Sequence, residues 1–469
     1  MEMTLVSNRI IDPMRMAGAM PGGLAAALST AVHDTGATWI GGSSERQLVE
    51  PGAVTVTPFG SGRLVSVRLP ASLYRQFYDG MANAALWPIL HYRSDLLRYD
   101  PDFLAAYGAI NRAMADGVRR IVSDDTPIWV HDYHYLMLGH YLRQRGVRGP
   151  IGFFLHTPFP HRSILACLPC HRELLRELSA YDLIGFQTAE DLQHFRDYAL
   201  SELLAATAGQ MELQLGGRRV KLGVFPIGID TDRFSNAARL AIASGALKRL
   251  RRALADSRLV IGVDRLDYSK GLVHRFQAYQ RFFTDFPDER RRVSFLQITP
   301  PTRERIDAYR SIRAELASIA GEINARFSGA AWVALRYIHQ GFAPERLAGY
   351  YRLGRVGCVT PLRDGMNLVA KEYVASQDPD DPGVLVLSQF AGAARQMEAA
   401  LLVNPHDTAA VARRIHEALY MPKEERVERW NALMRTLRSA SLEGWFSSFA
   451  SALQSCSHSA NPVARLSVA

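Results

Sequence analysis

Two doubly wound α/β domains are what this sequence predicts. Short apolar, β-branched runs alternate with amphipathic stretches of roughly 10–20 residues, the mark of parallel strands joined by crossover helices. The alternation runs through the chain twice, and 469 residues with 48% hydrophobic content exceed what one core usually holds.

In the first half, strands are expected over 4–7, 39–41, 54–58, 64–69, 128–131, 151–156, 183–187 and 220–226. In the second half they are expected over 259–263, 293–298, 333–338, 357–360 and 384–387. Helical periodicity covers 103–122, 272–286, 303–327, 344–352 and 408–420. A strand ends near Gly228-Ile-Asp230, which sets the domains at 1–229 and 230–440. Beyond Met421-Pro422 two more helices are expected, over 423–437 and 442–453. The segment 441–469 is expected to pack its helix back on the first domain and to end in a frayed Ser/Asn/Pro-rich tail.

The net charge of +9, from 55 Lys+Arg against 46 Asp+Glu, favours anionic partners. Phosphorylated metabolites fit better than nucleic acid. The densest basic patches, Arg249-Leu-Arg-Arg252 and Glu289-Arg-Arg-Arg292, look like solvated helix faces without interleaved aromatics. The N-terminus runs straight into a strand and no apolar run reaches membrane-spanning length, so neither a nucleic-acid nor a membrane partner is expected, and a cytoplasmic location is. Cys167-Leu-Pro-Cys170-His171 matches the letters of a haem-attachment motif, but reads as two small residues at a helix start with Pro169 in its first turn. Metal ligands are not expected there, because no second cysteine pair completes a zinc site.

Ligands of such sheets bind beyond the carboxyl ends of the strands, so the residues just after each strand carry the chemistry. In the first domain these are Ser7-Asn8-Arg9, the helix-opening Gly22-Gly23, the cluster His131-Asp132-Tyr133-His134, and His156. Phe77-Tyr78 and Leu86-Trp87-Pro88 place aromatics on a loop-rich stretch where they would stack on a sugar ring or pack in the core. In the second domain Arg265 and Lys270, five residues apart at a strand-to-helix turn, suit a diphosphate, and Arg303 adds a cation at the sheet edge. The most specific motif is Thr360-Pro-Leu-Arg363-Asp364-Gly365-Met366-Asn367-Leu368-Val-Ala-Lys371-Glu372. A glycine turn opens a helix there, Asp364 suits sugar hydroxyls, and Glu372, two turns on, suits a ribose diol.

With Val6-Ser7-Asn8-Arg9, Gly22-Gly23-Leu24, Leu86-Trp87-Pro88, the His131 and Arg265 clusters, the Thr360–Glu372 motif and Leu387-Ser-Gln-Phe-Ala-Gly392, the chain resembles the trehalose-6-phosphate synthase family over residues 4–453. The resemblance implies a GT-B fold, two Rossmann-like domains facing each other across a deep catalytic cleft. It implies retaining, metal-independent and cofactor-free transfer of glucose from UDP-glucose or GDP-glucose to glucose 6-phosphate, giving α,α-trehalose 6-phosphate. It implies further that Asp132, His156, Arg265, Lys270 and Asp364 are catalytic. Arg265 and Lys270 would hold the diphosphate, with Gly22, Gly23, Phe342, Asp364, Gly365, Met366, Asn367, Leu368 and Glu372 completing the donor site. Arg9, Tyr78, Trp87, Asp132 and Arg303 would hold the acceptor. A homo-oligomer and a functional link to a trehalose-6-phosphate phosphatase follow from the same resemblance. Two departures stand out: Gly42 occupies a position where the family commonly has Trp, and His339-Gln340-Gly341-Phe342 replaces a more usual Asn-Gln-His-Phe, which leaves the base preference open. The rival readings are transfer to another phosphorylated acceptor, such as glycerol 3-phosphate or a cyclitol phosphate, and a non-catalytic sugar-phosphate sensor.

Overall fold

The computed structural model describes residues 3–11, 22–43, 52–254 and 257–456. The strands of the first sheet are β1 (Thr4–Ser7), β2 (Thr38–Ser43), β3 (Val54–Phe59), β4 (Gly62–Arg68), β5 (Ile128–His131), β6 (Ile151–Phe154), β7 (Leu183–Phe186), β8 (Ala206–Gly209), β9 (Glu212–Leu215) and β10 (Arg218–Val224). Their order is β3-β4-β2-β1-β5-β6-β7-β10-β9-β8. The central run from β4 to β10 is parallel, and β3 and the β8–β9 hairpin add antiparallel edges. The second sheet holds β11 (Arg258–Val263), β12 (Val293–Ile298), β13 (Leu335–Ile338), β14 (Val356–Val359), β15 (Val384–Ser388) and β16 (Leu401–Val403), all parallel, in the order β13-β12-β11-β14-β15-β16.

The chain divides into two compact units. One contains Leu24–Pro226, the first strand and the chain from Trp445 onward; the other contains Ile227–Gly444. In the first sheet the strand order reverses between β1 and β5, and in the second between β11 and β14. Each reversal sends neighbouring crossovers to opposite faces, which leaves a crevice at the carboxyl ends of those two strands. Central strands such as β5, β6 and β12 are buried along their whole length, as strands covered on both faces must be.

Several elements differ from the sequence expectation for identifiable reasons. The first long helix is Pro101–Arg119, starting earlier than expected because Asp100 accepts from the Asp102 amide at 2.9 Å and Pro101 occupies the first turn. The helix expected from 303 starts at Asp307, because Arg303 takes a left-handed φ of 51°. The stretch expected to be loop-rich is helical: Gln76–Leu86 winds in wide π-helical turns with Phe77, Met81 and Ala82 buried. The β8–β9 hairpin went unseen because β8, exposed along its length, carries no apolar alternation. Pro169 lies in the turn before the helix His171–Arg176, not within it, with Cys167 exposed and Cys170 buried.

The last described helix, Leu442–Cys456, belongs to the first unit from Trp445 onward. Phe449 stacks on Trp129 at 4.1 Å between ring centroids, and Trp445 lies 4.9 Å from the same ring. Phe449 sits against two glycines, Gly152 on β6 and Gly185 on β7, where a Cβ would meet its ring at 2.8 and 2.7 Å. Residues 457–469, the expected frayed tail, lie outside the described residues. Among the described residues no helix is long and apolar enough to cross a membrane.

Candidate functional site

In the second unit the reversal between β11 and β14 gathers two turns. After β11 the chain runs Asp264-Arg265-Leu266-Asp267 into a short turn, Tyr268–Lys270, then into the helix Leu272–Asp285. Gly271 joins them at φ 65°, and a Cβ there would lie 2.3 Å from the Thr360 carbonyl oxygen, so only glycine lets the β14 turn approach. After β14, Asp364 and Gly365 lead to Asn367, which takes φ 77° and caps the helix Leu368–Ala375 through its side chain on the Ala370 amide. The loop after β15 braces this turn: Gly392 donates to the Asp364 carbonyl at 3.1 Å and Ala393 to that of Met366 at 2.8 Å.

The Lys270 ammonium donates to Asp364 at 2.5 Å, and Asn367 donates to the same carboxylate oxygen at 2.9 Å. A lysine and an acid from separate strands thus meet beside a helix N-terminus, a place that favours an anion. Arg265 is 43% exposed, and its guanidinium lies 4.0 Å from Asp267. Glu372 sits one turn into the helix, nearer its start than expected, and accepts from the Tyr351 hydroxyl at 3.2 Å. Burial pushes its carboxyl up to about 7. Next to it Lys371 is fully buried, donating to the Ile227 carbonyl and to Gln396, and burial pushes its ammonium down to about 7. Phe342 lies beyond β13, edge-on to Tyr350 and 4.6 Å beneath the Arg346 guanidinium.

Sequence reasoning missed the groups beneath these turns. Arg275 is fully buried, paired with Asp264 at 2.5 Å and bonded to Thr360, Gln297 and the Lys270 carbonyl. It ties the ends of β11, β12 and β14 together from below. Asp267 is likewise fully buried, and Arg303, expected at the acceptor, donates to it at 3.3 Å and to the Tyr309 hydroxyl at 2.6 Å. Asp267 was within reach of sequence reasoning, since it lies inside the motif between the two cations. Arg275 gave no such signal, because an arginine in an amphipathic helix reads as solvated.

In the first unit the reversal between β1 and β5 brings Arg9, Tyr74, Tyr78 and His134 together. The Arg9 guanidinium lies 4.7 Å over the Tyr78 ring, and Tyr78 stacks between Tyr74 at 5.7 Å and His134 at 6.0 Å. Trp87 is nearly fully buried against His91 and Tyr133. Asp132 follows β5 with φ 72°, a conformation that costs a non-glycine residue about 1–3 kcal/mol and marks functional turns. Its carboxylate accepts from the His156 amide at 3.3 Å. Both ring nitrogens of His156 have protein neighbours, His131 at 3.1 Å and Gln187 at 3.4 Å. Burial holds this imidazole neutral, its pKa down to about 3. Gly42, near the end of β2, faces Leu69: a Cβ there would lie 2.3 Å from a Leu69 methyl, so Leu69 fills the space a larger side chain would need. Gly22 and Gly23 open the helix Gly22–Thr35, while the preceding residues 12–21 lie outside the described residues.

The expected residues therefore fall into two groups. Arg9, Tyr78, Trp87, Asp132 and His156 belong to the first unit, and Arg265, Lys270, Arg303, Phe342, Asp364–Leu368 and Glu372 to the second. Among the described residues no group of three or more His, Cys, Asp or Glu side chains is placed to hold a metal ion.

Comparison with known proteins gives a consistent result. The trehalose-6-phosphate synthase of Sinorhizobium fredii is 44% identical over 95% of this chain and 97% of its own length. The crystal structure of a UDP-forming α,α-trehalose-phosphate synthase from Burkholderia vietnamiensis superposes with a TM-score of 0.94, at 42% identity over 98% of both chains. A UDP-forming synthase from Burkholderia xenovorans, solved in complex with glucose-6-phosphate, gives 0.93 at 41% identity over 97% of this chain and 100% of its own. Both confirm two Rossmann-like domains of the GT-B class as the fold. The profile of glycosyltransferase family 20 matches residues 12–455, nearly the whole chain, and the chain belongs to that family.

Proposed function

We propose that this enzyme transfers glucose, with retention, from UDP-glucose to glucose 6-phosphate, forming α,α-trehalose 6-phosphate and UDP. The observation that carries this reading is the Lys270–Asp364 contact at the β11/β14 reversal, in a chain 42% identical to a UDP-forming synthase along its whole length. The relatives do not favour the rival readings of another phosphorylated acceptor or a non-catalytic sensor.

In this reading Arg265 and Lys270 hold the donor diphosphate and stabilise the charge that develops on it as the glucosyl C1–O bond breaks. When the diphosphate engages Lys270, the Asp364 carboxylate is released toward the hydroxyls of the donor glucose. Gly22, Gly23, Gly365, Met366, Asn367 and Leu368 line the donor with backbone and small groups, Phe342 lies at the base, and Glu372 takes the ribose diol. Arg9, Tyr78, Trp87 and Arg303 hold the acceptor, and Asp132 orients its glucose. His156, neutral and tied through its ring to His131 and Gln187, acts as a fixed neighbour of the donor sugar and not as a proton carrier. The new C1–O bond forms on the face the diphosphate leaves, and the acceptor hydroxyl proton passes to the departing diphosphate oxygen. No metal or other cofactor enters this scheme. A cytoplasmic homo-oligomer feeding a trehalose-6-phosphate phosphatase completes the proposal.

The test is glucosyl transfer by purified protein, with UDP-glucose and GDP-glucose each offered against glucose 6-phosphate in the presence of EDTA. Trehalose 6-phosphate is expected with UDP-glucose at an undiminished rate. Absence of product with either donor overturns the reading, and loss on adding EDTA overturns its metal independence.

A further inference from the structure

The geometry points to Asp267 as a positioning residue that sets the two phosphate-binding cations of the second unit, Arg265 and Arg303, against one shared carboxylate. The inference rests on the functional reading above and extends it to a residue that touches neither substrate.

Three features carry it. The Asp267 side chain is 0% exposed, and a carboxylate is buried that completely only where fixed donors replace water. Its two oxygens are divided between two tasks. Oδ1 accepts from the Ser269 amide at 3.0 Å and so shapes the turn that delivers Lys270. Oδ2 accepts from Arg303 at 3.3 Å and from the Tyr309 hydroxyl at 3.1 Å, while the Arg265 guanidinium stands 4.0 Å away. Lastly, Arg303 holds a left-handed φ of 51°, a conformation that persists only where surrounding contacts impose it. Tyr309 supplies one of those contacts, accepting from Arg303 and donating to Asp267.

The arrangement differs from a pair of ordinary surface cations. Arg303, 5% exposed, presents a fixed edge, whereas Arg265 reaches outward from the same anchor. One carboxylate thereby registers the cation assigned to the donor diphosphate against the cation assigned to the acceptor phosphate.

Removing this charge has two consequences of opposite sign, which makes the inference decidable. By charge alone, loss of a nearby carboxylate strengthens binding of anions to Arg265 and Arg303. By positioning, its loss weakens that binding, because the cations no longer hold their places. Asp267→Asn preserves shape and an acceptor for Ser269, and Tyr309→Phe removes only the hydroxyl bridge. Steady-state kinetics should show KM for glucose 6-phosphate raised about tenfold or more in Asp267→Asn, the scale of one lost hydrogen bond to a charged group, with KM for UDP-glucose raised as well. Tyr309→Phe should raise KM for glucose 6-phosphate severalfold and leave that for UDP-glucose unchanged. Calorimetric titration with inorganic phosphate should show weaker binding to both variants than to the parent enzyme. Unchanged or lower KM values, phosphate binding equal to or tighter than the parent's, or a fall in kcat that tracks the folded fraction alone would each overturn the inference. Should Asp267→Asn fail to fold, Tyr309→Phe decides by itself. Failure of the parent enzyme to make trehalose 6-phosphate would sink the functional reading, and the phosphate titration would still decide the role of Asp267.

Discussion

Lys270 and Asp364 meet at 2.5 Å, the one from the turn after β11 and the other from the turn after β14. Both side chains are mostly shielded from water, so their attraction exceeds that of a surface pair, and under the proposed function the donor diphosphate competes with Asp364 for the lysine. Lys270→Ala should therefore reduce kcat/KM for glucosyl transfer by about 10²–10³-fold, the range for loss of one preorganised charge-stabilising group. Arg265→Ala should reduce it comparably while leaving the thermal midpoint near that of the parent, since its side chain is substantially exposed. Near-normal turnover in both variants would show that the diphosphate binds elsewhere.

Arg275 carries a prediction about stability. Arg275→Met leaves the Asp264 carboxylate buried without its partner, which costs about 3–5 kcal/mol. For a unit of this size that lowers the thermal midpoint by roughly 10 °C. Activity should fall at temperatures where the variant remains folded, because Thr360 and the Lys270 carbonyl lose the group that fixes them. A variant as stable as the parent would remove Arg275 from the framework of the site.

Neighbouring residues of the Leu368–Ala375 helix titrate in opposite directions. Burial raises Glu372 from 4.5 to about 7, so its cost to the fold is absent below about 4.5 and complete above about 7. Burial lowers Lys371 from 10.5 to about 7, so its cost is complete below about 7 and gone above 10.5. Their combined contribution to stability falls as pH rises from 4.5 to 7 and recovers from 7 to 10.5. Thermal midpoints across this range should show both limbs, with Glu372→Gln abolishing the first and Lys371→Met the second. An ionised Glu372 is also the better acceptor for a ribose diol, so KM for UDP-glucose should fall as pH rises through 7. A flat profile in the parent enzyme would separate Glu372 from the donor.

The fold was legible because buried parallel strands such as β11 and β14 print as unbroken apolar runs and glycine marks the turns after them. The positions of Arg265, Lys270 and Asp364 were legible for the same reason, since a residue's distance from the end of a strand can be counted. The support beneath them was not. Arg275 looks like any other arginine in a chain with 55 basic residues, and the place of Arg303 after β12 was countable but not its anchoring on the buried Asp267. The wide-turned helix Gln76–Leu86 was hidden because its period matches neither the 3.6 of an ordinary helix nor the 2 of a strand. His156 shows a subtler gap: its place after β6 was legible, but not that its ring turns toward His131 and Gln187.

The return of the last helix to the first unit bears on how the chain is made. Trp129, on β5, finds its stacking partner Phe449 and its neighbour Trp445 in a segment more than 300 residues later. A chain emerging from the ribosome can assemble β1 through β10 early, but the face of that sheet over Trp129 and Phe154 stays open until the final helix arrives. The whole of Ile227–Gly444 is synthesised in the interval. The earlier-born half thus waits, with aromatic surface uncovered, for Leu442–Cys456 to be translated. Truncation before Leu442 would strand it in that state, a ready substrate for chaperones and proteases.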